Sequence, residues 1–144
     1  MSIVQGMTTS FKVAILGGDF DFSTGTAQTF KIALYDSSAT LSVATTAYST
    51  TDEVTGTAYT AGGAALTVSQ VPTSSGTTAY LSFSSVTWSA STITARGALI
   101  YKEDGVTDPS VAIIDFGSDR STTAQDFVIS FPTANASEAI VRVA

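Results

Sequence analysis

Short runs of alternating apolar residues, each closed by glycine, proline, serine or aspartate, recur along this chain of 144 residues. Successive side chains of an extended strand point to opposite faces, so this alternation marks half-buried strands. Phe11, Val13 and Ile15 share one face of 10–16, and Gly17-Gly18 comes next. Phe30, Ile32 and Leu34 share one face of 29–35, before the turn residues Asp36-Ser37-Ser38. Further strands are predicted at 64–71, closed by Pro72, and at 78–83. A kink at Ser84-Ser85 leads to Val86-Thr87-Trp88 and then to 93–101. Gly97 inside that last run predicts a bulge or a close backbone approach. Residues 111–116 are almost continuously apolar, as in a strand buried on both faces, with a turn at Gly117-Ser118-Asp119. Phe127, Ile129 and Phe131 share a face before Pro132, and 140–143 reads as a last strand that needs a partner to hold it.

This pattern predicts an all-β fold, a single-domain antiparallel β-sandwich or jelly roll of about eight strands. It spans 10–144, behind an N-terminal arm at 1–9 that is short, mostly polar and aperiodic. Residues 39–63 are the least regular part. Thr50 and Glu53 have capping-box spacing, which allows one helical turn near 50–54, and 59–63 closes on a glycine turn. A chain of this size buries roughly 70% of its unfolded surface, so a core forms without staples.

Composition excludes more functions than it suggests. Histidine and cysteine are both absent. Their absence removes the commonest general base, the commonest metal ligand, the thiolate nucleophile and disulfides together. A serine–histidine–aspartate triad cannot be built. Six basic residues stand scattered against twelve acidic ones, for a net charge of -6. Binding to nucleic acid or to an anionic membrane needs grouped cations, so neither partner is expected. No apolar stretch approaches the length of a membrane span, and 1–6 has no signal-peptide pattern, so export by a cleaved signal is not expected. Charged residues are 12% of the chain, about half the usual share, and Ser and Thr take their place. Such a surface suits a protein packed into an assembly, or belongs to a Thr-rich β-protein with no partner.

Among the carboxylates, Asp19 and Asp21 would face the same way on an extended chain and could hold a hard cation, or stand as two solvated loop acids. No glycosidase pair is singled out, and no cofactor is expected. Asp115-Phe116-Gly117 spells a kinase metal-binding triplet without the loops that give it meaning. Trp88, Tyr48, Tyr59, Tyr80 and Tyr101 could line a sugar-binding face or serve as core.

Four stretches carry a more specific message. They are Thr29-Phe30-Lys31-Ile32-Ala33-Leu34-Tyr35, the run from Glu53 to Gly63, Trp88 with Ile93-Thr94-Ala95-Arg96-Gly97-Ala98 after it, and the run from Ala112 to Asp119. In this order they resemble segments of small β-sandwich structural proteins of tailed-bacteriophage virions. Ala58 stands where that pattern has glycine. The resemblance implies a non-enzymatic capsid decoration, or cement, protein on the capsid surface, synthesised in the bacterial host cytoplasm. It implies the major capsid protein as partner and self-association as a dimer or trimer. A tail or fibre protein is the alternative within the virion, and a carbohydrate-binding module is the alternative outside it. Contact residues are expected on the arm and the irregular segment, at Ile3, Val4, Tyr48, Glu53, Val54 and Tyr59.

Overall fold

The computed structural model describes residues 2–23 and 28–144. Among the described residues the chain forms one short helix and ten strands. In chain order these are β1 (Gly6–Met7), α1 (Thr9–Leu16), β2 (Thr29–Tyr35), β3 (Ala64–Leu66), β4 (Val68–Ser75), β5 (Thr78–Phe83), β6 (Val86–Ser91), β7 (Thr94–Glu103), β8 (Ser110–Ser121), β9 (Gln125–Ile129) and β10 (Val141–Val143). They pair as a five-stranded sheet β1-β8-β7-β2-β3, a three-stranded sheet β10-β5-β4 and a two-stranded sheet β6-β9. All named ladders are antiparallel, and the fold is all-β and sandwich-like.

The large sheet is buried on both faces, which explains its unbroken apolar runs. On one face Phe30, Ile32 and Leu34 of β2 join Ala98 and Ile100 of β7. They pack against Leu81, Phe83, Val86, Trp88, Phe127, Ile129 and Val141 from the two smaller sheets. On the other face lie Ala33, Tyr35, Leu99, Tyr101 and Ile113, covered by Ile3, Ala39 and Leu41. Register makes the two sets coherent. Ile32 pairs Ile100 and Ala33 pairs Leu99, while Ile113 pairs Leu99 from the opposite strand. The 36–63 segment is therefore a lid: Ala39, Leu41 and Tyr48 cover the second face, while Val54 and Tyr59 reach the first core. Its backbone is tied to the sheet by Val54 N–H to Leu34 O (2.9 Å) and Ser110 N–H to Thr46 O (3.0 Å), and closed on itself by Asp36 N–H to Asp52 O (3.1 Å).

Several expectations are corrected. Residues 9–16 form a helix, not a strand. Thr8 caps it by accepting from Phe11 N–H (3.3 Å), and Gly17 closes it. Phe11 alone of that helix is buried, while Val13 is 67% exposed, so the expected strand face does not exist. The expected arm at 1–9 is stitched into the fold. Ile3 bridges Leu41, and β1 pairs β8 at Ile113 and Ala112. Pro72 does not end a strand; it lies within β4, an edge strand with register shifts on either side of Gln70. Gly117 likewise bulges inside β8 (φ 77°) without ending it. Glu53 N–H bonds Thr50 O (3.2 Å), a turn with no helix around it.

The expectation for Gly97 is met, with a register shift beside it. A Cβ there would lie 2.6 Å from Ile114 O and 2.9 Å from the Ile3 side chain, so only glycine lets these strands and the N-terminal segment approach.

Candidate functional site

Glu53 is the one buried charged side chain among the described residues. The lid carries it inward opposite Tyr35, with which it forms an isolated antiparallel bridge, and leaves it 8% exposed. A buried carboxylate needs partners for its oxygens. Oε2 accepts from the Tyr48 hydroxyl (2.6 Å); Oε1 accepts from the Tyr59 hydroxyl (2.7 Å) and from Gly62 N–H (2.7 Å). The Tyr59 oxygen accepts in turn from Leu34 N–H (2.8 Å), which links the cluster to β2. Tyr101 donates to Gly62 O (2.7 Å) and Tyr35 to Ser49 O (2.6 Å). Tyr48 and Tyr101 stack, with ring centroids 4.7 Å apart. Gly63 makes the adjoining turn at φ 77°, and a Cβ there would overlap Ile32 O at 1.8 Å.

Burial pushes the hydroxyls of Tyr35, Tyr48, Tyr59 and Tyr101 well above the ordinary phenol range. The Glu53 charge adds to the shift at each, and at Tyr48 and Tyr59 so does its hydrogen bond, which favours the protonated phenol. These groups stay neutral donors. With both carboxylate oxygens engaged, the cluster fixes the lid on the sheet and presents no free base to a substrate. Among the described residues no buried side-chain polar atom lacks a partner.

Of the six residues expected at a contact surface, most are turned inward. Ile3, Glu53 and Val54 are buried, because Ile3 fills the space over Gly97, Glu53 holds the phenols and Val54 joins the main core. Tyr48 and Tyr59 are half-buried with their hydroxyls on Glu53. Val4, 52% exposed, is the one of the six that faces outward. The aromatic side chains offer no flat exposed platform: Trp88 and Tyr101 are buried, and Tyr48, Tyr59 and Tyr80 are half-buried.

Asp19 and Asp21 do not converge with a third acid. Among the described residues no group of three acidic side chains could hold a metal ion. Asp19 O accepts from Lys102 Nζ (2.8 Å), and Asp21 Oδ1 accepts from Ser23 N–H (2.9 Å). Asp115 of the kinase-like triplet pairs with Arg96 (3.4 Å) and accepts from Gly117 N–H (2.8 Å), the ordinary work of a bulge.

The residues Lys102-Glu103-Asp104-Gly105 read as a turn, and they open the loop between β7 and β8. Asp104 Oδ1 accepts from the backbone N–H groups of Val106, Thr107 and Asp108, and Oδ2 from the Thr107 hydroxyl. The backbone bond from Asp108, with those from its neighbours, holds the Asp104 carboxyl well below the usual carboxylate range. The Asp-Gly pair signalled a turn, but not that its tip would present Val106 at 88% exposure. Leu16, at 90%, and Val13 project similarly from α1. Comparison with known protein families, with curated proteins and with solved structures finds no match to this chain.

Proposed function

We propose that the protein is a structural component of a bacteriophage virion, a decoration protein that binds the outer capsid shell and ties neighbouring subunits together. Its action is binding alone. The observation that carries this reading is where the phage-like stretches fall. They supply β2, the Glu53 lid, the β6–β7 corner and β8, the frame on which the rest of the chain is hung. A resemblance that tracks the frame concerns the fold as a whole and no single motif.

The surface chemistry is consistent with attachment. Val13 and Leu16 stand one turn apart on a capped helix, and Val106 tips a loop pinned by Asp104. Contact groups on rigid elements lose little entropy on docking. Repeated copies engaging several shell subunits would add avidity to modest individual contacts. Self-association as a dimer or trimer at a symmetry axis belongs to the same proposal.

The test is a phage with this gene deleted. Its particles should lose DNA on heating or under pressure at a lower threshold than the parent, and added protein should restore the threshold. Copy number in purified particles should scale with the capsid subunits. A far smaller count would move the protein to the tail, and an unchanged threshold would remove the cement role.

A further inference from the structure

β8 and β9 are consecutive strands joined through residues 122–124, yet they do not pair. β8 belongs to the large sheet and β9 to the pair with β6, so the two strands splay apart. Between them runs a groove of about 680 Å³. Its floor is apolar, with Ile114, Phe116, Phe127, Phe131 and Ile140. Phe116 packs on Phe127 at 6.2 Å and Phe131 on Phe83 at 5.7 Å, so the floor is an outcrop of the core.

The walls are runs of consecutive residues, 119–122 on one side and 126–132 on the other. Neighbours along a strand point to opposite faces, so a groove touching every residue of a run lies along the strand's edge, where its backbone groups emerge. The edge of β8 is partly closed. β1 covers 112–113, the Gln5 side chain accepts from Asp115 N–H (3.2 Å), and the bulge at Gly117 bends the remainder of the strand. The outer edge of β9 has no backbone partner among the described residues. Among the other open edges, β4 carries Pro72 and two register shifts, β3 and β10 have three residues each, and β6 is open too but contributes no residue to this groove.

We propose that this groove accepts an extended polypeptide segment of a partner protein, which adds to β9 as an antiparallel or parallel strand. The lining selects the occupant. An open strand edge is matched by another backbone with donors and acceptors at strand spacing, and an apolar floor by side chains at every second residue. With Asp119, Asp126 and Arg120 as its charged lining residues, the groove favours a neutral or weakly basic segment. A compact apolar ligand would match the floor but not the strand edge, and a nucleic acid would meet an acidic lining with one arginine. The proposal does not depend on the virion reading, and its test uses the isolated protein.

The probe is an acetylated, amidated heptapeptide alternating valine and threonine with one terminal lysine. Its control has the same residues with proline at the centre. The alternating peptide should bind saturably and slow amide exchange across 125–131, while the control should not bind. Val128 is already 52% exposed, so Val128→Lys should leave the melting temperature unchanged. An edge lysine obstructs strand addition, and affinity should fall about tenfold, the contribution of one or two backbone hydrogen bonds. Binding that leaves β9 exchange unaltered, equal binding of the proline control, or undiminished binding to V128K would each overturn the proposal. So would self-association of the wild type that V128K abolishes, since the occupant would then be a second copy.

Discussion

Glu53 shows how one residue can be read correctly in spacing and wrongly in role. Its distance from Thr50 fits a capping box, and a helix there would have left the carboxylate at the surface. The backbone instead makes one turn, and the side chain enters the interior to meet Tyr48, Tyr59 and Gly62 N–H. No local pattern could reveal this, because the deciding partner is the Leu34 N–H of β2, which meets the Tyr59 hydroxyl from outside the lid. Glu53→Gln tests the arrangement at constant size. The amide offers one acceptor oxygen where two were in use, and its NH2 group turns toward a hydroxyl that was donating. Hydrogen bonds to a buried charge are the strong ones, so unfolding free energy should drop by about 2–4 kcal/mol. Urea denaturation would measure it. A change below about 0.5 kcal/mol would mean that the phenols find water as readily as the carboxylate.

At the level of elements, the strands with a sheet neighbour on each side and the last strand at 140–143 were legible, and the N-terminal segment was not. β2, most of β7 and the first third of β8 are apolar on both faces because both faces are covered, and such runs have few alternatives once Gly and Asp punctuate them. Residues 9–16 were ambiguous. Phe11, Val13 and Ile15 alternate like a strand, yet Thr8 ahead and Gly17 behind are a helix start and stop. Context decided. Thr8 is fully buried and its hydroxyl lies 3.3 Å from Val111 O and 2.9 Å from the Ser110 hydroxyl, so the helix entry is anchored to β8. Phe11 then drops into the ring cluster with Phe20 (4.9 Å) and Phe22 (6.0 Å). Thr8→Ala removes the cap and the tie to β8 together. It should cost about 1–2 kcal/mol in thermal or urea unfolding. Amide exchange should speed up at 9–17 more than in β2 or β7. Equal acceleration everywhere would show that the helix is not a separate unit.

Across the whole molecule the large sheet has two coats of different chemistry. One is apolar and comes from the small sheets; the other joins Ile3 to the lid, whose Ala39, Leu41, Tyr48, Glu53 and Tyr59 meet Tyr35 and Tyr101 of the sheet. The second coat makes stability depend on pH in one direction. The hydroxyls of Tyr35, Tyr48, Tyr59 and Tyr101 keep their protons in the folded protein above the ordinary value, whereas in the unfolded chain they ionise near about 10. Below that pH both states hold the protons, and the contribution of the cluster is complete. Above it the unfolded chain binds fewer protons than the folded one, so stability declines as pH rises toward the folded-state values. The urea midpoint should therefore change little because of these groups through neutral pH and fall steeply above about pH 10. Phenolate absorbance from the four residues should grow in with the loss of circular dichroism and not before it. Ionisation of all four in a protein that still melts cooperatively would show that the lid opens on its own. The second coat would then be a separable layer over a sheet that stands without it.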